Sequence, residues 1–145
     1  MEKPMEENNL VIPVETLVAF MERALQAFDI PPEDAKIIAD VLITSDLWGV
    51  RSHGIAHLAM YYKRIKKRLA LPQTQWRIEK ETQTTAVIDG GNGMGMVVGY
   101  HAMNMAIQKA QEYGLPYHVN ENFAVAVWQH IKMLKMLGVA RIIPS

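Results

Sequence analysis

Between Pro13 and Leu69 the apolar residues recur at helical spacing. Leu17, Phe20, Met21, Ala24, Leu25 and Phe28 fall at i, i+3, i+4, i+7, i+8 and i+11, the signature of one buried helix face with Pro13 in its first turn. Asp29-Ile30-Pro31-Pro32 interrupts this pattern. Pro32-Glu33-Asp34 then opens a second helix, with acids opposing the positive end of its dipole. Its predicted buried stripe is Ile37, Ile38, Val41, Leu42 and Leu47, and Gly49 is a natural stop. A third helix is predicted over 55–69, carrying Leu58, Tyr62, Ile65 and Leu69. The segment 51–54 is therefore a short corner between two helices.

After Pro72 the periodicity changes from helical to alternating. Residues 76–81 and 84–89 read as the two strands of a hairpin turning at Thr82-Gln83. A glycine loop over 90–95 leads into a helix over 97–113, with Ala102, Met103, Ala106, Ile107 and Ala110 on one face and Gly114 closing it. Beyond it, 117–119 reads as a short strand, 125–137 as a helix and 139–143 as an apolar strand. The predicted fold class is α/β (α+β), a helical unit followed by the beginning of a mixed α/β domain. The predicted divisions are a flexible N-terminus over 1–12, a helical unit over 13–71 and a partial α/β domain over 72–145.

Composition narrows the partners. Among 145 residues, 15 lysines and arginines balance 15 aspartates and glutamates, so no long-range field attracts nucleic acid or anionic lipid. Lys63, Arg64, Lys66, Lys67 and Arg68 favour the negative end of a helix dipole and read as a solvated helix end. With no cysteine there is neither a disulfide framework nor a thiolate metal site, which suits a reducing cytoplasm. The charge balance leaves a small molecule or another protein chain as the expected partner, and no signal peptide or bilayer-spanning apolar run is read. Met94, Met96, Met103 and Met105 are flexible fillers for a core or an interface left irregular by glycines.

Candidate chemistry concentrates at Ser52-His53-Gly54. A hydroxyl, an imidazole and a residue that permits close approach make a proton-transfer site, provided the ring lines an open cleft rather than facing bulk water or hydrocarbon. Two other motifs carry less. The loop from Gly93 to Gly99 looks like a dinucleotide fingerprint, but a hairpin strand precedes it and the only acid about twenty residues on is Glu112, inside the next helix. Its glycines read as room for helix-on-sheet packing. His53 and His57 are four apart and suit a shared metal, yet no third ligand stands near them, so no metal site is assigned. His101, His118 and His130 read as packing or surface positions.

The pattern Asp46-Leu47-Trp48-Gly49-Val50-Arg51-Ser52-His53-Gly54-Ile55-Ala56-His57-Leu58, with Ala39-Asp40 before it and Tyr61-Tyr62 after it, resembles the malate/L-lactate dehydrogenase family. This is the family distinct from Rossmann-type lactate dehydrogenases. It includes sulfolactate, ureidoglycolate and diketogulonate oxidoreductases and piperideine-carboxylate reductases. A second block, from Thr84 to Gly90 with Gly93, Gly95 and the helix around 102–110, is similar to the segment that follows in those enzymes.

The resemblance implies hydride transfer between NAD or NADP and a small 2-oxo, 2-hydroxy or cyclic imino acid. It implies that His53 is the acid/base and Ser52 its relay neighbour. His57 would meet the substrate carboxylate where many members have arginine, and Trp48 replaces another frequent arginine. Asn122, Phe123 and Ala124 would touch the cofactor, with Asn122 where the family has a histidine. A homodimer is implied too, with the methionine-rich helix as a candidate contact face. Because family enzymes are more than twice as long, the chain is expected to be truncated and to lack dehydrogenase activity alone. The alternative expectation is a non-catalytic remnant that self-associates through surfaces exposed by truncation.

Overall fold

The computed structural model describes residues 11–113. The elements run α1 (Val14–Gln26), α2 (Pro32–Leu47), two single 3₁₀ turns (Arg51–His53 and Ile55–His57), α3 (Leu58–Lys66), β1 (Arg77–Glu81), β2 (Ala86–Asp89) and α4 (Gly95–Tyr113). The elements predicted over 117–119, 125–137 and 139–143 lie outside the described residues.

α1 forms as the periodicity predicts, but its buried face is rotated. Met21 and Leu25 are fully buried, with Val14, Leu17, Val18 and Phe28 packed around them. Phe20, expected inside, is 51% exposed at the edge of that stripe. Pro13 stands one position before the helix, where its carbonyl accepts the amides of Thr16 and Leu17.

α2 is the most enclosed helix of the N-terminal half, packed against both α1 and α4. Ala35, Ile38, Ala39, Val41, Leu42 and Ile43 are buried. A side chain such as Ile38 or Leu42 contributes about 1.5–3 kcal/mol when buried completely. Leu47, expected at the end of the stripe, is 62% exposed.

All three N-terminal helices end by the same device. The amides of Ile30, Val50 and Leu69 reach back to the carbonyls of Leu25, Ser45 and Arg64, while Asp29, Gly49 and Arg68 adopt positive φ. This wrapped C-terminal motif satisfies carbonyls that the helix leaves without partners. Only at Gly49 does the sequence advertise it with glycine. At Arg68 it stops α3 at Lys66, short of the predicted residue 69.

One apolar cluster joins α1 and α2 to Leu58, Ala70, Met94, Met96 and Val97, so the core is continuous across the boundary predicted near Leu71. Met94, Met96 and Met103 are buried within the chain, which removes them as the exposed contact face expected of the methionine-rich helix. The flexible thioethers serve as core filler.

The hairpin pairs β1 and β2 antiparallel, with Ile78 opposite Ile88 and Lys80 opposite Val87, leaving Glu79 as a bulge. The predicted in-and-out alternation of β1 is not realised. All five of its residues are exposed, since the bulge breaks the period of two and the sheet is only a two-stranded ribbon. Its turn is wider than Thr82-Gln83, because Thr82 Oγ1 accepts the amides of both Thr84 and Thr85. Lys109 of α4 anchors it, donating to the Thr82 carbonyl at 2.6 Å and lying 2.9 Å from Glu81 Oε1.

The connection into α4 is tied back to α2. Thr74 Oγ1 accepts the Met94 amide at 3.1 Å, and the Asp34 carboxyl accepts from the Thr74 amide and hydroxyl. Burial pushes the Asp34 pKa up, with the charge of His101 and the Thr74 bonds opposing it. The folded state therefore binds this proton more tightly than the unfolded chain. Its contribution favours the fold at acid pH and is lost as the pH rises through the folded pKa. The melting temperature of Asp34→Asn, minus that of the native chain, is expected to grow more positive from acid to neutral pH; thermal unfolding followed by circular dichroism across that range checks it.

Candidate active site

The corner at 51–57 is built from the end of α2 outward. Gly49, at φ 76°, turns the chain off the helix axis, and the Val50 carbonyl then accepts the His53 amide at 2.9 Å to close the first 3₁₀ turn. The Gly54 carbonyl accepts the His57 amide at 3.0 Å in the second. α3 thus starts at Leu58, later than the predicted residue 55, because the corner uses the tighter i to i+3 bonding first.

Asp46, in the last turn of α2, holds these turns to the helix. Its Oδ2 accepts the Ile55 amide at 2.7 Å. A Cβ on Gly54 would fall on the Asp46 carboxylate, so glycine is needed here for room; its φ of −96° is one any residue can adopt. Nothing in the spacing of Asp46 marks it as a functional residue, since contact between positions nine apart exists only once the corner has folded.

Ser52 and His53 are brought together as the sequence suggests. Ser52 Oγ lies 2.9 Å from His53 Nδ1, and the tautomer decides which group donates. Both residues are exposed. The cleft that proton transfer requires is therefore not closed around His53 by the described residues.

His57 follows on the same side, its ring centroid 5.7 Å from that of His53 and 5.9 Å from that of Tyr61. The Tyr61 pKa is raised by burial, with the Arg64 charge opposing, so its hydroxyl stays protonated and able to donate. His57 Nδ1 is buried without a hydrogen-bond partner. Among the described residues no group of three His, Cys, Asp or Glu side chains gathers around this pair to hold a metal.

The glycine loop does not offer a dinucleotide cradle. A Cβ on Gly93 would lie 2.6 Å from Thr74 Cγ2, and one on Gly91 would strike the Gln75 carbonyl oxygen. The space these glycines leave is filled by the chain itself. Asn122, Phe123 and Ala124, the cofactor candidates, lie outside the described residues, as do His118 and His130. His101 packs face to face on Trp76, with centroids 5.0 Å apart.

The sequence profile of the family described as malate/L-lactate dehydrogenase matches residues 12–138. The chain belongs to this family. Over 113 residues it is 42% identical to the L-sulfolactate dehydrogenase of Methanocaldococcus jannaschii, covering 78% of this chain and 30% of that protein. Over 101 residues it is 31% identical to the NAD(+) ureidoglycolate dehydrogenase of Escherichia coli, covering 70% and 29%. The solved malate dehydrogenase of Pyrococcus horikoshii superimposes with a TM-score of 0.73 at 39% identity, over 78% of this chain and 32% of that one. The chain thus spans about a third of the length of the family members it matches. The helical N-terminal region and the small two-stranded sheet are the portion of a malate/L-lactate dehydrogenase fold that it presents.

The orphaned nitrogen of His57 gives a test of whether that side chain serves stability. A buried polar atom left unpaired costs about 1–3 kcal/mol. His57→Phe keeps a ring between His53 and Tyr61 while removing that atom. It is expected to raise the unfolding free energy by about 1–2 kcal/mol in urea titrations.

Proposed function

We propose that this chain supplies the proton-transfer corner of an NAD(P)-dependent oxidoreductase acting on small 2-oxo, 2-hydroxy or cyclic imino acids. The observation that carries this reading is the Ser52–His53 pair, held at 2.9 Å on a corner fixed to α2, within a chain of this family. Relatives named for sulfolactate and ureidoglycolate support the substrate class, and the NAD(+) in one of those names supports the nucleotide.

His53 acts as acid/base. Reduction of a carbonyl leaves negative charge on oxygen, which an imidazolium quenches by giving up its proton; in the reverse direction neutral imidazole removes the hydroxyl proton. Ser52 fixes the ring and exchanges protons with Nδ1. His57 faces the substrate carboxylate in place of the arginine many members carry. The nucleotide supplies the hydride. The described residues do not form its cradle, so its binding falls to other residues, with Asn122, Phe123 and Ala124 as the candidates in this chain. The site's setting in the cytoplasm and its use within a homodimer belong to the same proposal. No helix among the described residues is long and apolar enough to cross a membrane.

A second reading is favoured by one observation. Leu47, Trp48 and Val50 are all exposed beside the corner, Trp48 at 47%. Such a cluster suits burial against another polypeptide, as in a non-catalytic remnant that self-associates. Calorimetric titration of the purified chain with NADH and NADPH separates the two. Binding that is lost in Phe123→Ala is expected on the first reading, with no turnover of a 2-oxo acid by the chain alone. Silence with both nucleotides, alongside concentration-dependent self-association in sedimentation, would support the second and overturn the first.

A further inference from the structure

We propose that Asp46 is a positioning residue for His53, acting through the backbone of the corner rather than on any reacting atom. The proposal rests on the reading of His53 as the proton-transfer group, and it assigns to Asp46 the task of fixing where that imidazole stands.

Three observations converge on it. Asp46 occupies the last turn of α2, where a carboxylate faces the negative end of the helix dipole and no basic residue shares the turn. For its own helix the residue is misplaced. Its Oδ2 instead accepts the Ile55 amide at 2.7 Å, the start of the helical run that continues as α3 and the end of that run that favours negative charge. Finally, the position of Gly54 is filled on its side-chain side by that same carboxylate, so any Cβ there would displace it from Ile55. A locally unfavourable acid that satisfies the next element and dictates a glycine marks a site where geometry has priority over helix stability.

The mechanical consequence falls on His53. The first 3₁₀ turn hangs from α2 through Val50 at one end, and Asp46 grips Ile55 just after it at the other. With both ends fixed, the turn carrying Ser52 and His53 has little freedom, and their 2.9 Å bond is set before any ligand arrives. Released at Ile55, the exposed turn would sample other arrangements and Ser52 would lose the ring.

The test uses the whole chain in three variants: Asp46→Ala, Gly54→Ala and Asp46→Asn. Two readouts are followed by nuclear magnetic resonance, the ring-nitrogen chemical shifts of His53 and the hydrogen exchange of the Ile55 amide. In Asp46→Ala and Gly54→Ala the His53 nitrogens are expected to move to the values of a free exposed imidazole, and Ile55 to exchange about tenfold faster or more. Asp46→Asn keeps an oxygen for the Ile55 amide and is expected to retain the native His53 signature. Unchanged exchange at Met21 and Leu25 in the α1 core separates loss of the corner from loss of the fold. A native His53 signature in Asp46→Ala, or one lost as fully in Asp46→Asn as in Asp46→Ala, overturns the proposal. Nucleotide titration of the native chain is independent of these readouts, so failure of the oxidoreductase reading and failure of the positioning role are told apart.

Discussion

Everything near His53 depends on how one buried helix ends. α2 is enclosed by α1 and α4, so its position is set by the core, and the corner inherits that position only through bonds to its last turn. The Val50 amide on the Ser45 carbonyl and the Asp46 carboxylate on the Ile55 amide are those bonds. Rigid placement of a polar group on a surface is difficult where the chain leaves regular structure. Here two adjacent residues of one helix grip both sides of the departing segment.

The helices were legible because a buried face leaves a periodic trace in sequence. α1 and α2 lie where the spacing puts them, and α4 starts two residues before the predicted 97. What the period could not supply was the depth of each residue. Phe20 and Leu47 satisfy helical spacing yet stand exposed, since burial depends on which neighbour lies alongside. The ends were legible only where a special residue announces them. Gly49 marks one end and Asp29 before Ile30-Pro31-Pro32 another, whereas Arg68 adopts the same positive φ without any compositional hint. The hairpin existed as read, but Glu79 as a bulge and the wider Thr82 turn come from side-chain bonds and register that alternation does not encode.

The site was legible to a different extent. Ser52 and His53 are neighbours in sequence, so their pairing needs only a suitable turn, and the turn forms. The role of Asp46 needed three dimensions. It is nine residues from its partner and at the wrong end of a helix for its charge, and although Gly54 reads as a residue that permits close approach, the sequence does not say what approaches it. Gly54 has ordinary φ, so the freedom is spatial. The glycine loop shows the same principle with the opposite outcome for function, since Gly91 and Gly93 make room for Gln75 and Thr74 and not for a phosphate.

Exposure of His53 bears on how much of a catalytic environment these residues form. Charge developing on a substrate oxygen is stabilised far better in a site from which water is excluded. Among the described residues His53 is exposed, with one ring nitrogen engaged by Ser52 at 2.9 Å. Leu47, Trp48 and Val50, which precede the corner in the chain, are exposed, and leaving three large apolar side chains in water is unfavourable. Covering them with another polypeptide would bury that apolar surface, which is the feature that favours association at this corner.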